Sequence, residues 1–153
     1  MRCGTQRVFD LRSLLDVNVL VALLDGGHLH HRAATAWLGA HQRAGWASCP
    51  LTQNGCIRIL SVTSYPNAQP PAAVAQRLAQ ALNAAQHEFW PDALSLLEPR
   101  RLEWQHVLGS RQVTDAYLLA LAVHRGGRLV TFDRGIAIAA VSGATKRHVV
   151  TLD

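Results

Sequence analysis

The chain has 153 residues, 49% hydrophobic and 16% charged, a composition too apolar for a disordered chain and sized for one compact domain. Its longest uninterrupted apolar run, residues 116–123, is far short of the roughly 20 residues a spanning helix needs, so no transmembrane helix is predicted. Fourteen arginines and one lysine, Lys146, face ten carboxylates for a net +5; arginine forks onto phosphate and stacks on bases, so the balance suits a polyanionic partner such as nucleic acid.

The N-terminal residues contain no apolar stretch of the kind a secretory leader needs, and a cytoplasmic protein is expected. Cys3, Cys49 and Cys56 are odd in number and lack CxxC spacing, so they read as free thiols. Residues 11–15 are an apolar-rich run predicted as a strand ending at Asp16, and residues 17–24 continue as a helix until Asp25-Gly26-Gly27 stops it. Ala33, Ala36, Trp37 and Ala40 recur at helical spacing in a second helix, residues 30–44, which Gly45 terminates. Residues 46–49 are a short second strand. Pro50-Leu51-Thr52 opens a third helix with Thr52 as its N-cap, which puts Gln53 and Asn54 in the first turn.

Residues 64–71, with three prolines and an asparagine, form a loop, and Pro71 suits the first turn of a helix running to about residue 85. Residues 88–90 look like a third strand. Residues 94–110 show no clear period, with one irregular helix predicted around 101–108. Thr114 is predicted to cap a helix over 115–125 that Gly126-Gly127 stops. A strand at 128–132 ends at Asp133, a short helix follows at 134–141, and a last strand lies at 148–152.

Strands alternating with helices imply an α/β domain with a parallel sheet covered on both faces, whose ligands bind where strands end and helices begin. Asp16 and Asp133 each follow a strand directly, and Asp115 stands at the start of the helix that leads back to the strand before Asp133. Each could serve as a helix cap or a turn residue. Together they form a cluster of like charges that a hard divalent cation would relieve, which points to hydrolysis of a phosphodiester with Mg²⁺ or Mn²⁺. Arg111 and Arg134 lie within four residues of these acids and are candidate phosphate contacts, or else partners of the site carboxylates or of acidic groups on a bound protein. His28, His30 and His31 read as a solvated helix start. Trp37, Trp46 and Trp90 read as core or dimer contacts, and Trp104 as a candidate base-stacking platform.

The segments Asp16-Val-Asn-Val-Leu, Thr52-Gln-Asn-Gly, Val113-Thr-Asp-Ala-Tyr-Leu-Leu-Ala-Leu-Ala and Leu129-Val-Thr-Phe-Asp follow the order and spacing of PIN-domain ribonucleases. The chain resembles most the VapC-like toxins of bacterial type II toxin–antitoxin systems, from residue 14 to the C-terminus. Residues 1–13 would be an N-terminal extension or a lead-in to the first strand, and residues 14–153 a single PIN-like domain. The resemblance implies a three-layer α/β/α fold with a central parallel sheet. It also implies Mg²⁺- or Mn²⁺-dependent endoribonuclease activity, a homodimer, and inhibition by a cognate VapB-like antitoxin. Carried over by position, Asp16, Asp115 and Asp133 would be catalytic, metal-binding acids, with Asn18 and Thr131 as polar neighbours toward the substrate. Gln53 stands where most of the family has Glu, and would offer the metal only a neutral carbonyl oxygen. That departure raises an alternative, a weak or inactive PIN-like domain that binds RNA or an antitoxin without cutting.

Overall fold

A computed structural model describes residues 11–153. Five short parallel strands, β1 (Ser13–Leu15), β2 (Trp46–Ser48), β3 (His87–Phe89), β4 (Arg128–Thr131) and β5 (Val149–Thr151), form one sheet in the order β3-β2-β1-β4-β5. Five α-helices accompany it: α1 (Val17–Leu24), α2 (His31–Ala40), α3 (Pro50–Ser61), α4 (Pro71–Leu82) and α5 (Arg111–His124). The expected three-layer α/β/α architecture is therefore present. No helix among the described residues is long and apolar enough to cross a membrane.

Alternation along the strands sends side chains to opposite faces. Leu15, Trp46 and Val130 point into a core completed by Val19, Leu20 and Leu24 of α1, Cys56 and Leu60 of α3, and Val74 and Leu78 of α4. Leu14, Ala47 and Leu129 point the other way, against Leu118, Leu119 and Leu121 of α5 and the buried Trp90. Both faces of the central strands are thus apolar, as the sequence runs demand of strands buried on both sides. Gly127 permits the tight entry into β4, since a Cβ there would stand 2.5 Å from the Arg12 carbonyl oxygen and 2.7 Å from the Trp90 ring.

Leu11 is buried, and Arg12 reaches the Trp46 and Gln86 carbonyls and the Glu88 carboxylate, so the chain is already part of the fold at residue 11. The earlier part of the predicted extension, with Cys3, lies outside the described residues. Cys49 and Cys56 are free and buried, and burial pushes the Cys56 thiol up to about 12.

Several element ends differ from the predicted ones. Helix α3 starts at Pro50 with Cys49 as its cap, and Thr52 is an inner residue whose Oγ1 accepts the Cys49 N–H at 3.0 Å. Proline tolerates the first helical position because that N–H has no partner to lose, so the helix opens before the threonine. Helix α5 starts at Arg111, so Thr114 lies within its first turns and Asp115 lies one residue further in. The predicted second helix breaks at His41 into a 3₁₀ turn, Gln42–Ala44. The helix predicted at 134–141 is a 3₁₀ turn, Ile138–Ala140, and that at 101–108 another, Trp104–His106. These two turns brace each other through a Leu102–Val141 bridge and the Glu103 N–H to Ala140 carbonyl bond, a non-local pairing with no local period.

Candidate functional site

From β1 the chain moves to β2 and β3 on one side, then returns to place β4 and β5 on the other. The strand order therefore reverses between β1 and β4, and the connections leaving those two strands diverge to open a crevice at their carboxyl ends. Asp16 follows β1 as the N-cap of α1, and its Oδ1 accepts the Val17 N–H at 2.7 Å. Its Oδ2 accepts the Thr131 hydroxyl at 2.6 Å, from the last residue of β4. That same Oγ1 accepts the Asp133 N–H at 3.0 Å, and the Gly135 N–H donates to Asp133 Oδ1 at 2.7 Å. One hydroxyl thus ties the first acid to the backbone of the last.

Asp115 approaches from α5, about one turn into the helix. Its side chain hydrogen-bonds that of Asp133. Burial first, and then the neighbouring Asp16 and Asp133 charges, push its carboxyl up to about 7. Burial also raises Asp16, against the opposing effect of the Thr131 and Val17 hydrogen bonds. Three acids from three separate stretches of chain therefore share one electrostatic neighbourhood, as the sequence predicts. Among the described residues, no three His, Cys, Asp or Glu side chains stand as a preformed metal cage.

The two predicted polar neighbours, Thr131 and Asn18, also hold the fold together. Thr131 is fully buried and its hydroxyl is committed to Asp16, Asp133 and, at 3.5 Å, the Asn18 amide. The Asn18 carbonyl oxygen accepts the Phe132 N–H at 3.4 Å, clipping α1 to the end of β4. Gln53 is engaged by β2. Its Nε2 donates to Ser48 Oγ at 3.0 Å, and that oxygen lies 2.8 Å from His87 Nε2. Ser48 alternates with Ala47 and shares the face of Trp46, whereas Thr131 alternates with Val130 and shares the face of Leu129, toward α5. The Gln53 amide is therefore turned to the sheet face away from Thr131 and Asp115.

The α3 residues that border Asp16 are Leu51, Asn54, Gly55, Arg58 and Ile59, which with Val17 and Thr114 line an open cleft of about 300 Å³. Asn54 and Arg58 were not singled out by the sequence. Their signal is the spacing 51, 54, 55, 58 on one helical stripe, opposed to the buried stripe of Thr52, Cys56 and Leu60.

Arg111 is exposed at the start of α5 and enters no ion pair among the described residues, while Arg134 pairs with Asp153 at 3.0 Å. The histidines are half-buried and not fully solvated: His31 Nδ1 bonds the Ala22 carbonyl at 2.7 Å, His28 Nδ1 accepts the His30 N–H, and His30 stacks on Phe132 after β4. Trp46 and Trp90 are buried, Trp37 lies under Arg128 and against His41, and Trp104 is half exposed.

Residues 13–142 match the family model described as PIN domain. The chain is 49% identical over 142 residues to Ribonuclease VapC44 of Mycobacterium tuberculosis, covering 93% of this chain and all of that one. It is 43% identical over 135 residues to Ribonuclease VapC39 of the same organism, covering 87% and 96%. In three dimensions it is similar to a crystal structure of VapBC2 from Rickettsia felis bound to promoter DNA (TM-score 0.60, 12% identity, 94% and 100% covered). It is also similar to that of Mycobacterium tuberculosis VapC20, described as a Sarcin-Ricin loop cleaving toxin (TM-score 0.59, 17% identity, 88% and 97% covered).

Proposed function

Because the chain belongs to the PIN-domain family and, within it, to the VapC ribonucleases, we propose that it is an endoribonuclease toxin that hydrolyses RNA phosphodiesters with Mg²⁺ or Mn²⁺ and is neutralised by a cognate VapB-like antitoxin. The observation that carries this reading is the convergence of Asp16, Asp115 and Asp133 at the reversal of strand order, where burial and then the two neighbouring charges drive Asp115 to about 7. The residues suit a hard divalent cation: the donors are all oxygen, and their mutual repulsion is what a positive charge would remove. Asp16, Asp115 and Asp133 would hold it.

Such a cation, when bound, lowers the pKa of a coordinated water and offsets charge developing on the phosphate. The chain's own residues do the positioning. The Thr131 hydroxyl and the Val17 N–H set the directions of the two Asp16 oxygens, and the Gly135 N–H sets that of Asp133. Asp115 gives up its proton to join the set. Arg111 is free to meet an RNA phosphate, and Arg134 reaches one by releasing Asp153, an exposed pair whose loss costs little.

The alternative of a non-cutting domain rested on Gln53. Its amide nitrogen donates to Ser48 Oγ at 3.0 Å, a bond outside the acid cluster that supports the cutting reading. The test is incubation of the purified protein with total RNA in Mg²⁺, in Mn²⁺ and in EDTA, beside Asp115→Asn. Cleavage in either metal that vanishes in EDTA and in the variant supports the reading; intact RNA in every metal rejects it. The reading includes a homodimer, for which exposed Leu97, Leu108 and Val113 offer apolar surface, and a cytoplasmic site of action. Sedimentation of the purified protein checks the first.

A further inference from the structure

The cleft beside Asp16 has one wall whose chemistry the carboxylates do not explain. Helix α3 contributes Leu51, Asn54, Gly55 and Arg58 to it, and Asp16 and Thr114 lie opposite. Asn54 and Arg58 are exposed, and among the described residues their side chains enter no hydrogen bond or ion pair. The wall is held close by Gly55. A Cβ at that position would stand 2.8 Å from Val17 Cγ2, so α3 approaches the first turn of α1, the helix that Asp16 caps, as only glycine allows.

A cluster of carboxylates repels the polyanion it is built to cut, and the cleft leading to it needs a fixed cation. Arg58 is the cation that lines it. Its guanidinium presents a planar fork of donors suited to phosphate oxygens, and it starts one helical turn beyond Asn54, roughly 6 Å along the axis. That step is close to the spacing of successive phosphates on a nucleic-acid strand. A purely local role also exists, since Arg58 sits in the last turn of α3, where a cation complements the helix dipole. That role would affect stability alone.

We propose that Arg58, assisted by Asn54, forms a phosphate subsite on α3 that binds the RNA backbone in the cleft beside Asp16. The inference rests on the ribonuclease reading above and extends it to a surface outside the acid cluster. Arg58 is a binding and positioning residue; it takes no part in proton transfer.

The experiment compares wild type with Arg58→Ala, Arg58→Lys, Asn54→Ala and the remote control Arg32→Ala, an exposed residue of α2. Affinity for a short single-stranded RNA is measured in chelator across a salt series, and cleavage is then measured at varied RNA concentration in Mg²⁺. Arg58→Ala is expected to weaken binding about tenfold, the size of one charge-assisted hydrogen bond. It is also expected to flatten the dependence of log affinity on log salt by about 0.7, one phosphate contact to a single strand. The RNA concentration at half-maximal rate rises by the same factor, while the maximal rate stays within about twofold. Arg58→Lys keeps the salt slope and recovers part of the affinity, and Asn54→Ala loses about two- to threefold. Equal effects of Arg58→Ala and Arg32→Ala would reduce the effect to net charge and overturn the subsite, as would unchanged binding by Arg58→Ala. A melting temperature lowered without any change in binding would assign Arg58 to the helix dipole instead. If wild type itself neither binds nor cuts RNA, the ribonuclease reading fails first, and the two failures are told apart by that control.

Discussion

Thr131 bears more of the site than its size suggests, because its hydroxyl donates to Asp16 while accepting from the Asp133 backbone. Thr131→Val keeps the shape and removes both bonds inside a fully buried position. The expected result is a loss of about 1.5–3 kcal/mol in unfolding free energy, the range for a hydrogen bond to a charged group, and a fall of at least about tenfold in cleavage rate. Denaturant titration and a single-turnover assay check the two. Asp115 gives a pH signature. Its folded value is raised to about 7 from an ordinary value of 3.8, so between those limits the folded state holds a proton that the unfolded chain has released. Stability of the metal-free protein must therefore fall as pH rises from about 4 to about 7, then level off. Asp115→Asn should flatten that decline, melt higher than wild type at pH 7.5 in chelator, and abolish cleavage. A decline as steep in Asp115→Asn as in wild type would show that Asp115 does not carry the raised value. At Gln53 the geometry predicts that Gln53→Glu places a carboxylate beside Ser48 and His87, raising the His87 pKa and leaving Mg²⁺ affinity within about twofold. Calorimetry and a histidine NMR titration read both; a clear gain in Mg²⁺ affinity would place residue 53 at the metal after all.

At the level of elements, the close packing of α3 on α1 depends on Gly55. Gly55→Ala forces a contact of 2.8 Å with Val17 to relax, at a cost of about 1–3 kcal/mol by the usual measure of overpacking, and displaces Asn54 and Arg58 from the cleft. A lower melting temperature together with weaker RNA binding is the expected pair of effects. Strands and helices of the α/β frame were legible because buried apolar runs and glycine stops are local signals: Asp16, Gly45 and Gly126 each mark a true boundary. Helix starts were less so. Thr52 and Thr114 look like caps, yet the backbone N–H groups they would serve lie inside helices that begin earlier. The same difficulty hid the side of α3 that faces the site. Thr52 is buried with Cys56 and Leu60, and only with that inner stripe known does Gln53 fall beside it and Asn54 on the opposite side of the helix. The turns at 104–106 and 138–140 support each other across the fold, so neither has a sequence pattern of its own.

For the whole molecule, the balance of charge and the buried acids together define what a protein inhibitor has to do. An antitoxin that inserts an arginine among Asp16, Asp115 and Asp133 would replace the cation and pair carboxylates otherwise left bare. Asp115→Asn should then bind that antitoxin more weakly than wild type in chelator. Equal affinities would mean that inhibition covers the groove without entering the acid cluster.

The order of the strands has a further consequence for a cell that makes such an enzyme. Asp16 emerges early in synthesis, but the hydroxyl that orients it belongs to β4, 115 residues later, and β4 pairs directly with β1 at the middle of the sheet. A nascent chain that has completed β1, β2 and β3 has an edge where β4 will dock, one acid of three, and no crevice. On the function proposed above, the chain would therefore gain its full set of acids only once β4 and Asp133, which lie within its last 26 residues, have been made.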